Sequence, residues 1–314
     1  MHRYFLISLL LVVFLSAAAP VPQTPPSPCS QAYGAVPADP LPGWLQGNVP
    51  VEGLTSRNSY ELLAGQLLWT GIVDGAQCPS YGLNADGSPN ACGLQVANEE
   101  VQRWQNRYDP AIASTAAAQN LPAKAIKAVI AVESQFWSAA NWDKGEIGLG
   151  QMTEPGVDML LAWRPLFYQS TCKGTLDEQT CAKGYTNLDL SFQRMLRGLV
   201  LRSMDATCPS CKGSIDPEKG NQAVTVLGEA LTASCQQSNR IFWMATGKRP
   251  AALLSYEDFW RLTLANYHIG AGCVYQALRH TGNPSSWSAI AINFPAGCQS
   301  GAEYIRRIEE QLIP

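Results

Sequence analysis

The sequence is poor in charge. Asp, Glu, Lys and Arg make up 15% of the 314 residues, the net charge is −3, and no extended basic run occurs. Nucleic-acid partners leave a basic patch or stripe, so composition gives no support to a nucleic-acid ligand. Histidine is scarcer still, with three residues in all, and there is no second Cys-x-x-Cys beside Cys208-Pro-Ser-Cys211. That is too few donors at metal-ligand spacing for a zinc centre, and no other cofactor is expected. Strand alternation is not sustained anywhere, and no internal repeat is visible. Long apolar runs are also lacking, apart from Tyr4 to Leu15. At about a dozen residues that run is short for a membrane span.

His2 and Arg3 precede the run and Ser16-Ala-Ala-Ala19 follows it, the layout of a cleaved export signal over residues 1–19. Cys29 follows Pro28, outside a lipid-attachment context, so no stable membrane span or anchor is expected after cleavage. The expected location is the cell envelope (periplasm or cell-wall space) or the extracellular medium. Cysteine fits this, because ten are present and all lie beyond the signal. An even count outside the cytosol points to disulfides. Cys78–Cys92 and Cys172–Cys181 are local candidates, each closing a turn-rich loop. For Cys208 and Cys211 a structural bridge is expected, within the pair or to distant cysteines. A redox dithiol would need a strand–helix junction that the pattern does not offer.

Residues 20–58 are rich in Pro, Gly and Ser, and read as a flexible or extended linker. Residues 59–97 read as a small extension containing a short helix near Tyr60–Trp69 and the Cys78/Cys92 loop. That loop carries Asn84-Ala-Asp-Gly-Ser-Pro-Asn90, whose oxygens suggest a calcium loop, but Pro89 stands where such loops need Gly. From residue 98 to 314 the pattern is helical. Candidate helices lie at 101–108 and 111–119, and the next is one that Asn120 could cap, with Pro122 in its first turn. Leu188, Phe192, Met195, Leu196 and Leu199 form an apolar stripe opposite Arg194, Arg197 and Arg202. Ser255-Tyr-Glu-Asp258 and Ser300-Gly-Ala-Glu303 look like capping boxes. The fold class is mostly α-helical with disulfide-linked loops.

One carboxylate stands out. Ile126, Val129 and Ile130 precede Glu133 by seven, four and three positions, so at helical spacing Glu133 continues an apolar stripe. A carboxyl withdrawn from water favours its protonated form, as a general acid requires. The alternative is a glutamate reaching solvent from a helix end.

Four segments in order bear on that choice: Glu133-Ser-Gln-Phe136, Gly145-Glu-Ile-Gly-Leu-Gly-Gln-Met152, Ala265-Asn-Tyr-His-Ile-Gly-Ala-Gly-Cys-Val274 and Glu303-Tyr-Ile305. Together they resemble the soluble lytic transglycosylases, relatives of goose-type lysozyme, over roughly residues 98–312. Departures from the family pattern are Gly150 in place of Met, Glu146 in place of a small residue, and His268-Ile269 in place of Asn-Ala. The resemblance implies a lysozyme-like helical domain, peptidoglycan glycan strands as partner, and Glu133 as the catalytic acid. It further implies substrate contact for Ser134, Gly148, Leu149, Gln151 and Tyr267, with Tyr304 lining or supporting the site. The implied reaction cleaves the bond between N-acetylmuramic acid and N-acetylglucosamine and leaves a 1,6-anhydro ring. Two alternatives remain: a hydrolase, with Asp143 or Glu146 positioning water, and a glycan-binding module without catalysis. The nine Trp and eleven Tyr could in part serve as flat surfaces for sugar rings.

Overall fold

The computed structural model describes residues 27–37, 40–47 and 49–312. The export signal and the first part of the expected linker lie outside the described residues. Thirteen α-helices occur among them: α1 (Pro28–Tyr33), α2 (Glu61–Trp69), α3 (Ala91–Asn106), α4 (Asp109–Gln119), α5 (Ala123–Ser134), α6 (Glu154–Trp163), α7 (Pro165–Lys173), α8 (Glu178–Cys181), α9 (Leu190–Met204), α10 (Pro217–Thr246), α11 (Tyr256–Thr281), α12 (Trp287–Ala291) and α13 (Ser300–Leu312). No strand forms among these residues, only isolated bridges, and no helix is long and apolar enough to cross a membrane. The mostly α-helical class with disulfide-linked loops is therefore what the chain adopts.

α10 is the longest helix, and α1, α4, α6, α9 and α11 pack around it. Its limits follow from local chemistry. The Asp216 carboxylate accepts from the Glu218 and Lys219 amides, Pro217 opens the first turn, and Gly247 closes the helix at φ 71°. α5 is a second internal helix. Ile126, Val129 and Ile130 are fully buried, and Ala125, Ala128, Ala131 and Val132 are buried as well, so the apolar surface encircles the helix. Asn120 does not cap α5. It ends α4 in the left-handed conformation at φ 52°, and α5 starts at Pro122 without a side-chain cap. Of the two capping boxes, Ser255 accepts from the Asp258 amide as expected. Ser300 already lies inside α13, where Glu303 pairs with Arg306.

Lys127 on α5 is buried and donates to both oxygens of Asp109 (2.7 and 3.0 Å), to Asn106 Oδ1 (2.8 Å) and to the Leu54 carbonyl (2.6 Å). Burial pushes the Asp109 carboxyl up to about 6 against the pull of Lys127. Between about pH 4 and 6 the folded state then holds a proton that the unfolded chain has lost. This stabilisation is complete below about pH 4 and is lost as pH rises through about 6. Relative to Asp109→Asn, the wild type should lose roughly 2–3 kcal/mol across that window. Urea melts at pH 4, 5, 6 and 7 test this, and parallel curves for the two proteins would refute it.

The expected linker is corrected from residue 27 onward. Cys29, Ala32, Tyr33, Leu45 and Leu54 are buried, the Tyr33 hydroxyl donates to the Leu254 carbonyl (2.9 Å), and Cys29 is bonded to Cys235. Prolines here open α1 and flank short 3₁₀ turns instead of keeping the chain extended. The boundary at residue 98 also fails, since α3 runs through it from Ala91. Cys78–Cys92, Cys172–Cys181 and Cys208–Cys211 pair as local bridges, and Cys273–Cys298 completes five disulfides. On α9, Leu196 is buried but Met195 and Leu199 are exposed. The inner face runs through Leu196, Val200 and Met204, and Arg197 turns to Glu154 and Asp158.

Candidate active site

Glu133 stands one residue before the end of α5, where the backbone turns sharply. Gln135 and Phe136 have φ of 46° and 65°, and Gln151 across the site has 47°. Left-handed non-glycine residues cost about 1–3 kcal/mol each and persist where surroundings fix them. Here Gln135 Oε1 accepts from the Leu62 amide (2.8 Å), the Phe136 carbonyl accepts from Trp104 Nε1 (3.0 Å), and Gln151 Nε2 donates to the Gly148 carbonyl (2.8 Å).

The strained turn opens into a cleft of about 540 Å³, lined by Leu62, Gln66, Glu133, Ser134, Trp137, Ala139, Ala140, Asn141, Trp142, Asp143 and Gln151. The Glu133 side chain is 14% exposed, so its carboxyl is largely withdrawn from water yet reachable from the cleft. Trp137 stacks on Trp104 (5.6 Å between centroids) and shows its other side to the cleft. Trp142 is half exposed and donates from Nε1 to Asp205 (3.2 Å). Both indoles thus line the same cleft as the Glu133 carboxyl.

Several residues close the site around Glu133. His268 Nδ1 is 3.8 Å from Glu133 Oε1, and the His268 ring lies flat on Tyr304 (4.1 Å between centroids, 3° between planes). The Tyr304 hydroxyl is buried and faces Glu133 without a hydrogen bond of ordinary geometry. Burial, and then the Glu133 carboxylate and Tyr267, hold this phenol well above its ordinary value. Tyr267 is held high by burial and by Glu133 in the same way. Neither tyrosine can act as a base near neutral pH. On α13, Arg307 donates to the Val132 carbonyl (3.1 Å) and ties that helix to the end of α5.

The segment 145–152 is placed from behind. Ile147 and Met152 pair across its base. Ser134 is buried and shares its hydroxyl proton between the carbonyls of Leu149 (2.8 Å) and Ile130 (3.1 Å). Tyr267 donates to the Gly150 carbonyl (2.6 Å). Gly148 sits at φ 71°, and an added Cβ would meet the Met204 carbonyl at 2.8 Å. Leu149 is fully buried. The six expected contact residues therefore divide. Gln151 lines the cleft, Ser134 borders it with its hydroxyl already committed, and Tyr267 and Tyr304 back Glu133. Gly148 and Leu149 do not line the cleft and hold the loop's shape. Asp143 lines it and Glu146 does not.

The departure at Gly150 has a steric reason, since a Cβ there would lie 2.7 Å from the Tyr267 hydroxyl. Gly150→Ala should break the Tyr267 hydrogen bond and lower any activity of the site about tenfold, the effect of roughly 1.4 kcal/mol. Tyr267→Phe should cost a similar amount, and the double variant should be no worse than either single one. Additive losses in kcat/KM would refute this coupling.

Sequence reasoning missed Leu62, Gln66, Trp137 and Trp142. The two tryptophans could have been found from their place between the glutamate and the glycine-rich loop. Leu62 and Gln66 come from α2, so the expected extension forms one wall of the cleft. Comparison with family models, with curated proteins and with solved structures returns no significant match for this chain.

Proposed function

We propose that the protein is an exported peptidoglycan lytic transglycosylase with a lysozyme-like helical domain and Glu133 as its catalytic acid. The observation that carries this reading is the largely buried Glu133 carboxyl in an open cleft that Trp137 and Trp142 also line. Trp137 and Trp142 offer flat faces to sugar rings, and Gln151 offers an amide to ring substituents. Five disulfides accord with an oxidising compartment.

In this reading protonated Glu133 donates to the oxygen joining N-acetylmuramic acid to N-acetylglucosamine, and the bond breaks through an oxocarbenium-like state. The resulting carboxylate takes the proton of the muramoyl 6-hydroxyl as that oxygen bonds to the anomeric carbon. Glu133 is reprotonated, a 1,6-anhydro ring forms, and no water is consumed. Ser134 and Tyr267 act as positioning residues for the 145–152 loop, and the neutral Tyr304 and Tyr267 phenols back the carboxyl.

A hydrolase is the second reading, favoured by one observation: Asp143 lines the same cleft and could hold a water. Mass spectrometry of fragments released from purified peptidoglycan separates the two. Anhydro ends support transglycosylation, and reducing ends, one water heavier, would overturn it. Wall binding without fragment release would instead indicate a non-catalytic module.

A further inference from the structure

A second groove of about 690 Å³ shares no lining residue with the cleft. It lies between α1, the end of α6 and the last turns of α10, and continues to Arg249. Its chemistry differs from that of the surrounding surface. Although the chain is net negative, no acidic residue lines this groove among the described residues, while Arg240 and Arg249 both do. Neither arginine forms an ion pair with a described residue. The Arg240 guanidinium lies over the Trp243 ring, 5.1 Å from its centroid. Arg249 occupies space that a side chain at Gly34 would take, where an added Cβ would meet Arg249 Cδ at 2.8 Å. Trp163 adds a second indole and Asn239 an amide. Gln236 adds a second amide side chain to the lining.

The wall formed by α1 is covalently held. α1 has only six residues, and Cys29 within it is bonded to Cys235, next to Gln236. A staple at this point fixes the groove's width.

We propose that this groove is a second ligand site, for a glycan segment that carries carboxylates. The indoles suit the apolar faces of sugar rings, and the Asn239 and Gln236 side chains suit hydroxyls. Two guanidinium groups with no carboxylate partner among the described residues suit carboxylates, which they can grip with paired N–H donors. An acidic peptide would use the arginines but would leave the flat indole faces unused. The proposal is independent of the cleft's assignment.

The test is calorimetric titration of the full chain, carrying Glu133→Gln so that probes survive. One probe is a tetrasaccharide of alternating N-acetylglucosamine and N-acetylmuramic acid with free carboxylates, and the other is chitotetraose, its uncharged counterpart. The acidic probe should fill two sites and chitotetraose one. Arg240→Gln/Arg249→Gln should weaken the extra site at least tenfold, and so should Trp163→Ala, which leaves both arginines in place. Identical isotherms in these variants, equal filling by chitotetraose, or displacement of the acidic probe by tetraglutamate at equal potency would each overturn the proposal. If the acidic probe fills one site, lost in the arginine variants, the groove assignment stands and the cleft reading fails.

Discussion

Glu133→Gln is expected to lower fragment release from purified peptidoglycan by about 10²–10⁴-fold, the usual worth of general acid–base catalysis. The change is nearly isosteric and removes only the ability to hand over and take back a proton. Its folding cost should be small, because Glu133 makes no hydrogen bond of ordinary geometry to Tyr304 and the His268 Nδ1 atom is 3.8 Å from Oε1. The variant should keep wild-type melting behaviour and still bind wall material through Trp137, Trp142 and Gln151. Rates of turbidity loss and soluble fragment yield, measured beside a thermal melt, separate the two effects. Wild-type rates in the variant would remove Glu133 from the mechanism.

The second large effect concerns stability. Replacing Cys29 and Cys235 together with Ser should cost about 5 kcal/mol by the chain-entropy relation for so long a closed loop. The separation is 206 residues, far beyond that of the four other bridges. Partial compensation comes from Tyr33, which keeps its hydrogen bond to Leu254 and its ring contacts with Tyr256 and Phe259. Urea unfolding of the double variant under non-reducing conditions measures the loss. An unchanged midpoint would mean that packing alone holds α1 in place.

Much of the helical frame was legible because short-range chemistry specifies it. Ser255 before Asp258 marks a helix start through contacts within a few residues, whereas Asp216, Pro217 and Gly247, which bound α10 by the same kind of contact, were passed over. Glu133, Gln151, Tyr267 and Tyr304 could be named from ordered motifs, and the fold brings them around one point. Other features depend on partners far along the chain, which periodicity does not reveal. The described residues between 27 and 58 looked like a linker because their order comes from Cys235, Leu254 and Lys127 rather than from their own pattern. Ser134 looked free to meet a ligand because its acceptor, the Leu149 carbonyl, lies across a turn. The cleft's tryptophans were passed over among nine, although Trp137 and Trp142 lie between the glutamate and the glycine-rich loop.

The disulfide pattern has a consequence for how the chain must be made. Four bridges join cysteines that are neighbours in the sequence, and Cys29–Cys235 alone spans other bridges. If the chain enters an oxidising compartment N-terminus first, six cysteines from Cys78 to Cys211 arrive before Cys235 does. Oxidation strictly in order of arrival would join Cys29 to Cys78, Cys92 to Cys172, Cys181 to Cys208 and Cys211 to Cys235, and would leave only Cys273–Cys298 native. Native pairing therefore requires either that Cys29 stay reduced until α10 is complete or that an isomerase reshuffle early bonds. Yield of this protein is set by the redox machinery of the compartment it enters as well as by its own packing.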